Sequence, residues 1–276
     1  MSVQVIKLPG KISSYRFLSR GAVGWVYQIN DRIALKFALA PVFHEFAREN
    51  SMFDLLETHQ PHPHIIQSFF RLPNANFLAF MSGGPLDVRL RSNQIRQGYF
   101  GKVIRVLKTD PVELVERWLQ ELCSGVIWLE SLGYVHGDLR PTNLLLDGQD
   151  HLKLADFDCA EKVGEPSRGN GPAWARVLGD DADELGERKG SFGINGPRTE
   201  QFAIGSNLYC MAYGLEPYKD RDDRGLVLVE LLQEMQFPEL QDRPLDLIIE
   251  RCWRALSSIE GFLGGGGITS ERAAFV

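Results

Sequence analysis

Tyr134-Val135-His136-Gly137-Asp138-Leu139-Arg140-Pro141-Thr142-Asn143-Leu144-Leu145-Leu146 reads as a short strand, a polar loop and a second apolar strand. The loop carries Asp138 and, further on, Asn143. Leu152-Lys153-Leu154-Ala155-Asp156-Phe157-Asp158 follows, another apolar strand ending in an acid. Short strands joined by tight turns bring their loops to one edge, so two carboxylates and an amide gather there. Phosphoryl transfer from a nucleotide needs this set. One carboxylate faces the attacking hydroxyl, while an amide and a second carboxylate hold Mg²⁺ against the phosphates.

His136 to Asn143, written H-G-D-L-R-P-T-N, resembles the protein-kinase catalytic loop H-R-D-L-K-x-x-N. Asp156-Phe157-Asp158 resembles the D-F-G metal motif with its Gly replaced. The resemblance implies that Asp138 is the base orienting the acceptor hydroxyl and that Asn143 and Asp156 hold Mg²⁺. It places Arg140 where the family has the γ-phosphate Lys; the cation is kept, with a different shape and hydration. His136 is expected to be a structural core histidine. Gly137 stands in place of the Arg that reads a phosphate on the activation segment, so that mode of switching is expected to be absent. Asp158 reads either as a further Mg²⁺ contact or as a solvated turn residue. Cys159 adjoins the site, and nothing in the sequence activates its thiol.

Upstream, residues 1–40 read as strands. Tyr15-Arg16-Phe17-Leu18 leads into Ser19-Arg20-Gly21-Ala22-Val23-Gly24, the pattern resumes at Trp25-Val26-Tyr27-Gln28-Ile29, and Ile33-Ala34-Leu35-Lys36-Phe37 follows the Asn30-Asp31 turn. Gly21 and Gly24 let the backbone lie close over phosphates where a Cβ would obstruct, although glycine hairpins also serve structure alone. In order with Ala34-Leu35-Lys36 they resemble the kinase Gly-rich loop and V-A-I-K strand, with Ser19 at the family's first Gly. The resemblance implies an ATP site formed by Gly21, Gly24, Val26, Ala34 and Lys36, with Lys36 on the α/β-phosphates. Residues 42–57 predict a helix from the spacing of Phe46, Met52, Phe53, Leu55 and Leu56. Glu45 and Glu49 both qualify as partners of Lys36; Glu49 stands before Met52 and Leu56 as the family's helix-C Glu stands before its apolar residues. His62-Pro63-His64-Ile65-Ile66 resembles the family's H-P-N-I-V segment. The prolines keep His59, His62 and His64 from forming a helical metal face. Phe77-Leu78-Ala79-Phe80-Met81 breaks into Ser82-Gly83-Gly84-Pro85, which is linker chemistry. By resemblance it is the hinge, with Leu78 as gatekeeper and the main chain of Ala79 and Met81 on the adenine.

Downstream, residues 111–132 predict an amphipathic helix, with Pro111 suited to its first turn and Gly133 to its stop. Residues 161–199 are rich in Gly, Pro and charge and predict a long activation segment, mobile without substrate. The acids Asp180, Asp181, Asp183 and Glu184 read as solvated surface or as a preference for basic substrates. Ser167, Ser191 and Thr199 are candidate phosphosites, and no clear A-P-E is present. Glu200-Gln201-Phe202-Ala203-Ile204-Gly205 through Tyr218 resembles the D-x-W-S-x-G helix, with Glu200 as the acid tying it to the catalytic loop. A further helix is predicted at 226–235. Leu245 to Trp253 matches the C-W helix near a kinase C-terminus, without the Arg that normally follows.

The 276 residues carry 44% hydrophobic and 24% charged side chains, a net charge of −6 and a pI of about 5.6. That balance argues against nucleic acid as a partner. No apolar run is long enough to cross a bilayer, and neither a signal peptide nor a common lipidation signal is expected. The four cysteines lie far apart without a C-x-x-C pair, which predicts reduced thiols in a cytoplasmic or nuclear protein.

The expectation is an α+β, two-lobed protein-kinase-like fold: a small N-lobe sheet with helix C over residues 1–81, a larger mostly helical C-lobe over 82–263, and a flexible tail over 264–276. The variant motifs resemble divergent eukaryotic-type kinase domains, specifically kinase-like proteins of filamentous fungi. The implied function is transfer of the ATP γ-phosphate to Ser/Thr hydroxyls of a protein substrate, with Mg²⁺. Two alternatives stay open: a pseudokinase scaffold that binds nucleotide without turnover, and a small-molecule phosphotransferase of the aminoglycoside or choline type.

Overall fold

Aromatic and aliphatic residues interleaved with polar ones give the N-terminal region three strands: β1 (Arg16–Arg20), β2 (Gly24–Gln28) and β3 (Ile33–Ala38). The turn between β2 and β3 is fixed by Asn30, whose Oδ1 accepts from the Arg32 and Ile33 amides at 2.8 Å. These details come from a computed structural model that describes residues 15–38, 43–98, 101–222 and 225–254. The tail expected at 264–276 and the beginning of the 42–57 helix lie outside those residues.

Helix α1 (Phe43–Glu57) follows, then β4 (Ser68–Leu72) and β5 (Ala75–Ala79). The five strands form one antiparallel sheet in the order β1-β2-β3-β5-β4. Beyond β5 the chain passes through β6 (Gly84–Pro85) into α2 (Leu86–Ser92). Next come β7 (Gln94–Arg96) and β8 (Val103–Val106), a hairpin outside the sequence expectations.

The long helix is α3 (Val112–Ser131), and Pro111 occupies the cap position just before it rather than its first turn. It ends where Gly133 adopts φ +82°. Trp118, Leu122, Val126 and Leu129 are buried on its inner face. They belong to the core with Leu144 and Leu146 of β10 (Leu144–Leu146) and Leu152 and Leu154 of β11 (Leu152–Leu154). β9 (Tyr134–Val135) pairs with β12 (Glu161–Lys162) and closes the catalytic turn from the other side. The C-terminal half is completed by α4 (Pro197–Tyr213), α5 (Gly225–Gln233) and α6 (Asp246–Trp253). Helix α4 is buried along nearly its whole length, and Trp253 Nε1 on α6 donates to its Ser206 Oγ at 3.0 Å. Among the described residues no helix is long and apolar enough to cross a membrane.

Residues 161–199, expected to form a long activation segment, carry hydrogen bonds between their two ends. Ser167 N donates to the Gly193 carbonyl at 2.8 Å, and Asn195 N to Glu165 O at 2.8 Å. Two acids of the run are paired locally: Asp181 meets Arg176 at 2.6 Å, and Asp180 pairs with Lys189.

Candidate active site

A cleft of about 400 Å³ runs between the sheet and the helical half, and Val26, Ala34, Lys36, Asn143 and Asp156 line it. Lys36 on β3 is 5% exposed and meets the Glu49 carboxylate of α1 at 2.7 Å. It also contacts the Asp156 carboxylate beyond β11. Burial alone would lower its pKa; Glu49 and Asp156 more than offset that, so the ammonium sits above its ordinary value. Burial pushes the Glu49 carboxyl up, against the pull of Lys36. Of the two acids that could have met Lys36, Glu49 is the one that does. Arg48 next to it donates to the Asp158 carbonyl at 3.2 Å, a second tie from α1 to the metal motif that sequence reasoning missed.

Asp156 takes a left-handed backbone, φ 69°, which a non-glycine residue seldom holds unless its surroundings impose it. The next residue, Phe157, is fully buried, edge-on to Phe53 of α1 with centroids 5.3 Å apart, and 5.1 Å from the His136 ring. His136 is itself fully buried, and its Nε2 lies 3.0 Å from the Ala155 carbonyl. One cluster of rings thus links α1, the Asp156-Phe157-Asp158 stretch and the loop after β9.

In that loop Asn143 Nδ2 donates to both the carbonyl and the carboxylate of Asp138, at 2.9 and 2.8 Å. Arg140 pairs with the other Asp138 oxygen. Burial raises the Asp138 pKa, and Arg140 and Asn143 restrain it. The loop is held from below by α4. Glu200 accepts from the His136 and Gly137 amides at 2.8 and 3.2 Å, the link its position predicts. Asn207, unflagged in the sequence, donates to the Leu139 carbonyl at 3.0 Å.

Other expected residues divide. Ala79 and Met81 line the cleft, but the Ala79 amide already donates to Gln67 O at 2.9 Å, and the Met81 carbonyl accepts from Gly84 at 3.1 Å. Ala79 can therefore offer an adenine its carbonyl, and Met81 its amide. Gly21 and Gly24 are not among the cleft-lining residues; Ser19 is. Gly21 N bonds Gly24 O at 2.9 Å and closes the β1–β2 turn. Gly24 is required by close packing, since a Cβ there would stand 2.7 Å from the Phe37 carbonyl oxygen. Asp158 is not among the cleft-lining residues; it lines a separate pocket with Gly137, Cys159 and Asn170, and burial followed by the nearby Asp156 raises its pKa. The Cys159 thiol is pushed up to about 12, by burial first and then Asp158, so it is not activated. A cavity of about 460 Å³ behind the sheet, where His62 stacks on Trp128, shares Ala79 and Met81 with the cleft and is lined by none of Lys36, Glu49, Asp138, Asn143 and Asp156.

Among known proteins, CBL-interacting protein kinase 10 of Oryza sativa subsp. japonica is 26% identical over 190 residues, 64% of this chain and 36% of that protein. Myotonin-protein kinase of Homo sapiens is 32% identical over 118 residues, 39% of this chain and 18% of that protein. Protein kinase 3 of Dictyostelium discoideum is 23% identical over 269 residues, 90% of this chain and 28% of that protein. The chain therefore spans little more than a third of the length of these relatives at most. The model of the protein kinase domain matches residues 13–259, which takes in the β3 lysine, the catalytic loop and the metal motif together. With that match reaching across nearly all of the sequence, this chain belongs to the protein kinase domain family.

Proposed function

We propose that this chain is an ATP- and Mg²⁺-dependent kinase that phosphorylates Ser and Thr hydroxyls of proteins. The observation that carries the proposal is Lys36, buried and joined at once to Glu49 and Asp156. A lysine so held is positioned to meet nucleotide phosphates, and its charge is secured by two acids.

Asp156 and Asn143 fit Mg²⁺. The Asn143 amide nitrogen is committed to Asp138, and its Oδ1 receives only the Thr142 hydroxyl at 3.3 Å. One carboxylate and one amide oxygen suit an ion that completes its shell with phosphates and water. Mg²⁺, when bound, neutralises charge on the transferring phosphate. Asp138 orients the acceptor hydroxyl and receives its proton, and Arg140 beside it contributes positive charge near the γ-phosphate. Val26 and Ala34 give the adenine an apolar seat, with the Ala79 carbonyl and Met81 amide as its polar contacts. The cation at Arg140 supports Ser/Thr over Tyr. A cytoplasmic or nuclear setting is part of the proposal and is supported by four unpaired cysteines, three of them buried.

The test is transfer from γ-labelled ATP with Mg²⁺ to a mixture of protein acceptors, followed by phosphoamino-acid analysis. Phosphoserine and phosphothreonine are expected from wild type, and none from Asp138→Ala. Label on an aminoglycoside or choline-like alcohol, with none on protein, would refute the choice of acceptor. Nucleotide binding without any transfer would refute turnover and leave a binding scaffold.

A further inference from the structure

Gly137 has a left-handed backbone, φ +74°, and a Cβ on it would stand 2.5 Å from the Cys159 carbonyl oxygen. The catalytic loop and the turn after the metal motif therefore touch backbone to backbone, where a side chain would hold them apart. Asn170 of the activation segment reaches into this junction. Its Nδ2 donates to the Gly137 carbonyl, and its Oδ1 lies 4.0 Å from the Cys159 thiol. Its own carbonyl accepts from the Arg140 guanidinium at 2.7 Å, and Arg140 pairs with Asp138.

Cations near the junction are already engaged. Arg48 donates to the Asp158 carbonyl, and Arg168 pairs with Glu161 at 2.9 Å. Glu161 also accepts from Asn195 Nδ2 at 2.9 Å, which ties the two ends of the segment together. Glu45, Asp158 and Glu161 line the same pocket. A phosphate arriving there would meet carboxylates and occupied guanidiniums.

The geometry points to Asn170 as a positioning residue: through Gly137 and Arg140 it clamps the activation segment onto the catalytic loop and holds the cation beside Asp138, with no phosphate involved. Its effect on transfer rests on the kinase reading above; the clamp itself does not.

Hydrogen exchange by mass spectrometry separates the two. The full chain is prepared free of phosphate, as checked by intact mass, alongside Asn170→Ala and Asn170→Asp; the Asp variant keeps the shape and removes the donor. Amides in the 159–171 region are expected to be protected in wild type and to exchange about tenfold faster in both variants, as the loss of a partly buried hydrogen bond implies. ATP·Mg²⁺ should still raise the melting midpoint of both. In transfer assays kcat should fall while KM for ATP holds, the split expected of misplaced chemistry rather than lost binding. Equal exchange in wild type and variants, or protection that arises only after phosphorylation, would overturn the proposal. The expected exchange pattern in a protein that transfers no phosphate would uphold the clamp and count against the kinase reading instead.

Discussion

Lys36→Met removes a cation from a place that cannot hydrate the anion left behind. Glu49 is fully buried, and beyond the Lys36 ion pair neither of its carboxylate oxygens has a hydrogen-bond partner. Asp156 differs, because 35% of its side chain is exposed and water can replace the lysine. Removing one member of a buried ion pair costs about 3–5 kcal/mol, and here nearly all of it falls on Glu49. Lys36→Met/Glu49→Gln replaces the stranded charge by a neutral amide, so the double variant should recover about 2 kcal/mol relative to the sum of the singles. The pH dependence has a definite sign. Glu49 sits at about 7 in wild type, burial being the larger cause, and loss of Lys36 moves it higher still. A carboxyl raised on folding contributes stability at low pH that is lost as pH rises from its unfolded value, about 4.3, through its folded value. Wild type shares that loss up to about pH 7, so the extra deficit of Lys36→Met should be small near pH 5 and larger near pH 8.5, where wild-type Glu49 is ionised and the variant's resists ionisation. Urea-unfolding midpoints of wild type, both singles and the double at the two pH values measure this. Additive singles with a deficit independent of pH would refute the reasoning.

Glu200, buried and raised to about 7 by its burial, should impose a fall in stability between about pH 4.5 and 7. Glu200→Gln should flatten that slope in a thermal-melt series, while losing one of the two amide bonds to the loop. Gly137→Arg, which installs the family's usual residue, should lower rather than restore stability. The left-handed backbone costs about 1–2 kcal/mol for a residue with a Cβ, and the contact with the Cys159 carbonyl adds to it; a shift of the unfolding midpoint reports it. Phe157→Ala should cost about 3–5 kcal/mol, since the ring is fully buried between Phe53 and His136, and denaturant titration checks it.

The pattern of acids and amides around residue 138 was legible in the sequence because strand, loop and strand follow one another within a few residues. Glu49 was legible through the resemblance: helical pattern left Glu45 and Glu49 both open, and only Glu49 stands before Met52 and Leu56 as the family's helix-C Glu stands before its apolar residues. Glu200 followed from the resemblance of its stretch to the family's D-x-W-S-x-G helix. Contacts set by the course of long loops were hidden. Asn170 reads as one polar residue in a glycine-rich stretch, and only the folded path brings it to Gly137. Asn207 reads as a weak point in the apolar run of α4 until the Leu139 carbonyl is seen beside it. The β7–β8 hairpin was missed because its strands are short and interrupted by a register shift, which leaves little alternation to read. Gly24 and Gly21 were read toward phosphates, whereas the packing of Gly24 on Phe37 is reason enough for that glycine.

The central claim is that Lys36, Asp156 and Asn143 form a working metal–nucleotide site. Thermal shift with ATP, with and without Mg²⁺, on wild type and Asp156→Ala tests it most directly. At a hundredfold excess over the dissociation constant, binding to the folded state alone should add about 2.7 kcal/mol and raise the midpoint. The account predicts a Mg²⁺-dependent rise in wild type that Asp156→Ala loses. No rise with any nucleotide, or a rise equal in both proteins, would contradict it.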